Sequence, residues 1–236
     1  YLNLKYNKEI KIQVNDFKPS MTTIKKIYSV GFPSIVMISI TSITTYGLNS
    51  ILMKISSTAT AVLGVYYKLQ SFVLMPVFGI NNGLVPIIAF NYGAKNKERI
   101  IKAIKLSITY GVIIMILGLG IFQVFPRQLL SMFNASQDML TIGVAALRII
   151  SISYIFAGFS IVAGSIYQAF GNGVFSLITA VSRQLVVLLP AAYFLSRLGN
   201  PSLIWWSFPI AEIASITLST LFLKNIYKQK IQTIVV

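Results

Sequence analysis

FNYGAKNKERIIKAI, residues 90–104, places Lys95, Lys97, Glu98, Arg99 and Lys102 within eight positions. On either side the charge vanishes: residues 69–94 carry none, and residues 106–126 carry none. At about 1.5 Å rise per residue, each uncharged run is long enough to cross the ~30 Å hydrocarbon core of a bilayer. The stretch therefore reads as a charged loop between two membrane spans.

The rest of the chain repeats that pattern. Its 236 residues are 56% hydrophobic and 11% charged, with a mean hydropathy of +0.77; a soluble domain carries about 25% charged residues. Hydropathy marks spans at 27–53, 59–91, 103–125, 140–169, 173–196 and 203–224. The expected fold class is all-α, a polytopic membrane protein with a six-transmembrane-helix bundle. The second and fourth spans are long enough that they must tilt, kink or protrude. Pro76 and Pro86, with Gly79 and Gly83 between them, mark the second as a packing kink, a hinge or a cavity wall.

The net charge of +15 does not point to nucleic acid, because the cations fall between apolar spans rather than on one solvated face. With six spans, Lys5, Lys8, Lys11, Lys18, Lys25, Lys26, Lys95, Lys97, Arg99, Lys102, Lys105, Lys224, Lys228 and Lys230 all fall on one side. Lys54, Arg127 and Arg197 fall on the other. Lys and Arg are retained in the cytoplasm, so a multi-pass protein of the cell membrane with both ends cytoplasmic is expected. Residues 1–26 then form a cytoplasmic linker, 27–224 the membrane lobe and 225–236 a cytoplasmic basic tail. Trp205 and Trp206 are expected at the outer interface, where aromatic rings favour the headgroups. A chain beginning on Tyr1 reads as a piece of a larger protein.

Histidine and cysteine are absent, and the acids are Glu9, Asp16, Glu98, Asp138 and Glu212. Thiol nucleophiles, imidazole acid–base chemistry and the usual zinc sites are thereby excluded, and neither an enzyme nor a cofactor or metal site is expected. Lys68, Arg148, Arg183 and Glu212 lie within spans, where an unpaired charge costs at least ~2.5–3.5 kcal/mol. Arg183 and Glu212 enter antiparallel neighbouring spans from the same side, at depths near ~15 and ~18 Å. They form a candidate buried ion pair, with a structural or a proton- or cation-linked role. Lys68 and Arg148 have no obvious acidic partner, and either snorkel or face a wet cleft. Ser39, Ser42, Tyr46, Asn49 and Met53 make one stripe on the first span, and Ser151, Tyr154, Gly158 and Ser165 make another on the fourth. Each stripe is a helix–helix contact or a substrate-lining face.

LNSILMKISSTATAVLGVYYKLQSFVLMPVFGINNGLVPIIAFNYGAKNKER, residues 48–99, resembles the signature of the second half of multidrug and toxic compound extrusion (MATE) transporters. The resemblance rests on Met75-Pro76 and Gly79 inside a helix, then Gly93-Ala94 followed by Glu98-Arg99. YQAFGNG (167–173), SRQLVVLLP (182–190) and WWSFPIAEI (205–213) resemble the family's later helices. The resemblance implies one six-helix lobe, the C-terminal one, of a twelve-helix alternating-access exporter of lipophilic, usually cationic compounds driven by H+ or Na+. It implies the N-terminal lobe, the lipid bilayer and small lipophilic substrates as partners. It also puts Tyr46, Asn49, Lys68 and Tyr154 on the substrate face. The NorM-like branch carries ion-binding carboxylates where this chain has none: the first span holds no acid, and the fourth reads YIFAGFSIVAG, with Gly158 or its neighbour in the acid's place. A coupling-ion site in the N-terminal lobe is implied instead, as in the DinF-like and MepA-like branch. A lipid-linked oligosaccharide or peptidoglycan-precursor flippase of the same superfamily, and a non-transporting scaffold subunit, are the alternatives.

Overall fold

The computed structural model describes residues 20–234. Among them there is no strand, and the chain is a succession of helices joined by short turns. α1 (Met21–Met53) and α2 (Ser57–Gly93) make the first two spans, and α3 (Lys97–Val124) the third. The short α4 (Pro126–Ser131) lies between the third span and the fourth. The fourth is broken: α5 (Gln137–Ser151) and α6 (Tyr154–Ala169) meet at 54°. The fifth runs from α7 (Gly173–Val181) through a π-helical stretch (Ser182–Leu188) into α8 (Leu189–Ser196). A 3-10 turn (Pro201–Trp206) leads into α9 (Ser207–Ile226), which continues as a π-helical end, Tyr227–Ile231.

Local chemistry sets the turns. Ser56 Oγ accepts the amides of Thr58 and Ala59 and so starts α2, and Asn96 Oδ1 accepts the amide of Arg99 and starts α3. These caps satisfy first-turn amides that have no carbonyl of their own. Gly171 and Gly199 adopt φ of +77° and +78° after α6 and α8, a backbone that glycine takes without strain. Pro76 and Pro86 lie inside a continuous α2, so they leave the carbonyls of Phe72 and Asn82 without their helical donors but do not end the helix.

Three boundaries differ from the hydropathy reading by six residues or more. α1 begins at Met21 rather than 27, α3 at Lys97 rather than 103, and the last helix reaches Ile231 rather than 224. Helix is set by backbone bonding, and hydropathy only marks the part in hydrocarbon, so the basic turns project beyond it. Lys224, Lys228 and Lys230 sit at the carbonyl end of their helix, where the dipole favours cations. Residues 1–19 of the expected linker and 235–236 of the expected tail lie outside the described residues.

Close helix contact comes from glycine. A Cβ on Gly158 of α6 would stand 2.8 Å from the Gly111 carbonyl oxygen and 2.9 Å from Val112 Cα of α3. Gly118 of α3 likewise leaves room for Val73 of α2. Between these helices the core is aromatic: Phe122 lies 5.4 Å from Tyr154 and 6.4 Å from Tyr66, and Tyr66 lies 5.6 Å from Phe208, all edge-on. Trp205 corrects an expectation. It is buried while Trp206 is exposed, because successive residues of a 3-10 turn point about 120° apart and only one of the pair can face lipid.

Candidate functional site

A cavity of about 570 Å³ lies within the lobe, inside the ~300–1,000 Å³ range of small-molecule pockets. It is walled by α1, α2, α6, the fifth span and α9. α1 contributes Thr41, Thr44 and Thr45 at one-turn spacing; the hydroxyls of Thr44 and Thr45 donate to the carbonyls of Ile40 and Thr41. α2 contributes Gln70, Asn81 and Asn82, the last being the residue whose carbonyl Pro86 leaves free. Gln168 and Gln184 add two more amides, while Phe78 and Phe208 give aromatic wall. Ser176 Oγ donates to the Gly164 carbonyl at 2.8 Å, and Tyr167 Oη to the Ser219 carbonyl at 2.7 Å, tying α6 to α7 and α9. Polar groups at this depth have no bulk water and must be satisfied internally.

The charge in the cavity is one ion pair. Arg183 Nη1 donates to Glu212 Oε2 at 3.3 Å. Arg183 stands in the π-helical stretch, where an extra residue per turn widens the helix; Pro190 follows, lacking the amide that the Val186 carbonyl would accept. The Glu212 side chain is 5% exposed and that of Arg183 34%, so the guanidinium faces the cavity and the carboxylate sits behind it. Glu212 Oε1 and Asn81 Oδ1 are buried with no hydrogen-bond partner among the described residues, and both residues line the cavity. Both acceptors lie beneath the cavity wall, and the group that faces the cavity is the partly free donor fork of Arg183.

The residues expected on a substrate face are not brought together. Tyr154 is fully buried against Phe122 and does not line the cavity. Gly158, one turn on, lies against Gly111 of α3, whereas Ser165 of the same stripe lines the cavity. Lys68 lies on another face of α2, its Nζ 5.8 Å from the centre of the Phe133 ring beyond α4. Arg148 is exposed and likewise outside the cavity. Tyr46 is 77% exposed on the outside of the lobe with Ser39, Ser42 and Met53. Asn49 is half-buried on the same helix and does not line the cavity either.

Sequence reasoning missed the threonine face of α1 and the amides. Both left a signal: Thr41, Thr44 and Thr45 follow i, i+3, i+4 spacing, and Gln70, Asn81, Asn82, Gln168 and Gln184 stand in spans that hydrocarbon would not tolerate unpaired.

The MatE family profile matches residues 33–194. Among curated relatives, Multidrug export protein MepA of Staphylococcus haemolyticus (strain JCSC1435) is 25% identical over 87% of this chain and 45% of its own length. Multidrug export protein MepA of Staphylococcus aureus (strain MSSA476) is 26% identical over 89% of this chain and 46% of its own. The chain thus spans about half the length of the curated relatives it matches. Among solved structures, an outward-facing multidrug resistance MATE family transporter of the MOP superfamily superposes with a TM-score of 0.86 at 22% identity, over 98% of this chain and 52% of that one. A MOP superfamily transporter from Pyrococcus furiosus gives 0.84 at 22% identity, over 95% and 52%. These likenesses show the fold.

Proposed function

The chain belongs to the MatE family, and from that premise we propose that it works as one half, the C-terminal six-span lobe, of a two-lobe exporter of lipophilic, cationic compounds. The observation that carries this is the polar cavity inside a membrane lobe, lined by threonine hydroxyls, side-chain amides and two phenylalanine rings. A compound bearing N–H donors finds acceptors in those amides and hydroxyls, and Phe78 and Phe208 offer a cation aromatic faces. The relatives named MepA are multidrug export proteins, which supports the same substrate class.

In this reading the lobe rocks against an N-terminal partner lobe, opening the cavity to alternate sides of the cell membrane. The exposed α1 face with Tyr46, and Asn49 beside it, is turned toward that partner. Inward H+ or Na+ drives the cycle through an acid of the partner lobe, because the one carboxylate lining this cavity is held by Arg183. The basic rim with Lys95, Lys97 and Lys102 is cytoplasmic. Lys68 and Arg148, the cations that favour a pyrophosphate-lipid flippase, stand outside the cavity, which leaves export as the better-supported activity.

The test is ethidium efflux by the whole transporter in cells stripped of other exporters. Asn81→Leu is expected to abolish efflux at normal expression and membrane insertion. Wild-type efflux by Asn81→Leu would remove the cavity from the transport path.

A further inference from the structure

The basic first turns of α3 border a second groove, of about 560 Å³, between α2 and α3. Along α2, Gly79, Gly83 and Ile87 follow one another at four-residue intervals; along α3, running the other way, Lys102, Leu106 and Tyr110 do the same. Four-residue spacing keeps each set on one side of its helix. A Cβ placed on Gly79 or Gly83 would meet no heavy atom within 4 Å, so the glycines leave an open floor. Arg99 and Lys102 sit together at one end, both exposed, and the remaining wall is mostly apolar.

The dimensions match one leaflet. From Lys102 to Tyr110 the groove runs ~12 Å, and from Asn91 to Gly79 ~18 Å, at 1.5 Å per residue. One leaflet contributes ~15 Å of hydrocarbon. The charged end thus falls at headgroup depth and the glycine floor at acyl depth. Asn91 does not compete for a ligand, since its Nδ2 already donates to the Ile87 carbonyl at 2.8 Å. Lys95 and Lys97 precede this end in the chain and add positive charge near it, against the single acid Glu98.

We propose that this groove binds one anionic phospholipid, its phosphate held by Arg99 and Lys102 and one acyl chain laid over Gly79 and Gly83 against Leu106 and Tyr110. A guanidinium grips phosphate through two parallel donors, and basic pockets between membrane helices are where anionic headgroups bind. The site is separate from the transport cavity and does not depend on which compounds are exported.

Native mass spectrometry of the whole transporter with phosphatidylglycerol and phosphatidylcholine tests it. Wild type is expected to retain one phosphatidylglycerol in preference to phosphatidylcholine. Arg99→Gln with Lys102→Gln should weaken that retention about thirtyfold, about fivefold for each cation removed. Lys105→Gln, outside the groove, should leave it unchanged. Gly83→Leu extends into open space, so it should keep the wild-type melting temperature and lose the lipid. The proposal is overturned if the double variant holds phosphatidylglycerol as wild type does, or if Lys105→Gln loses as much as Lys102→Gln. It is equally overturned if Gly83→Leu binds normally, or if a cysteine placed at Gly83 cross-links to the other lobe or a second copy.

Discussion

Removing one member of the Arg183–Glu212 pair should cost far more than removing both. Arg183→Leu leaves a carboxylate that is 5% exposed with neither oxygen partnered. Stranding a buried charge costs about 3–5 kcal/mol, and the near-complete burial argues for about 4. Glu212→Leu leaves a guanidinium that is 34% exposed to the cavity, where water can reach it, so about 2 kcal/mol is expected. The double variant strands nothing, and its two leucines occupy similar volume, so its cost should stay within about 1 kcal/mol. At about 2–4 °C per kcal/mol for a chain of this size, Tm should fall by about 12 °C, about 6 °C and about 3 °C or less, in that order. Fluorescence-monitored thermal unfolding in one detergent, at matched protein and salt, reads all three. Additive losses, with the double variant the least stable, would refute the pairing and the burial asymmetry together.

Three further outcomes follow from the same packing. Gly158→Leu drives carbon into the Gly111 backbone and should destabilise the lobe by about 3 kcal/mol, read as lost Tm and lower yield; an unchanged Tm would mean that α3 and α6 are not in contact. Tyr154→Phe removes a buried hydroxyl that has no partner among the described residues, so Tm should hold or rise and ethidium efflux should continue; lost efflux would return Tyr154 to the substrate face. Lys68→Met gives up an exposed cation over Phe133, worth about 0.5–1 kcal/mol, and efflux should stay within twofold of wild type, which a tenfold loss would contradict.

Much of the fold was legible because crossing hydrocarbon constrains composition so tightly. The uncharged runs around residues 90–104 set the second and third spans, and depth arithmetic put Arg183 and Glu212 within reach across a short connection; they stand 3.3 Å apart. Rotation of each helix about its axis was not legible. Ser39, Ser42 and Tyr46 make one polar face of α1 and Thr41, Thr44 and Thr45 another, and nothing in their periodicity says which borders a cavity. That choice is made by packing: on α6 the Gly158–Gly111 approach fixes which side is sealed, and Tyr154 is carried inward with it. The break between α5 and α6 and the π-helical stretch carrying Arg183 leave hydropathy unchanged, so their spans read as uniform. Trp205 failed for a related reason: a 3-10 turn separates neighbours that an interfacial average treats alike.

The chain has no cysteine, so a single thiol can report on one wall at a time. Gln184→Cys in the cavity and Lys68→Cys outside it, each in an otherwise cysteine-free whole transporter, should both react with a small maleimide. If exported compounds occupy this lobe, ethidium at saturating concentration slows labelling of Gln184→Cys at least fivefold and leaves Lys68→Cys unaffected. Equal labelling of Gln184→Cys with and without ethidium, in protein that still exports it, would contradict the central claim.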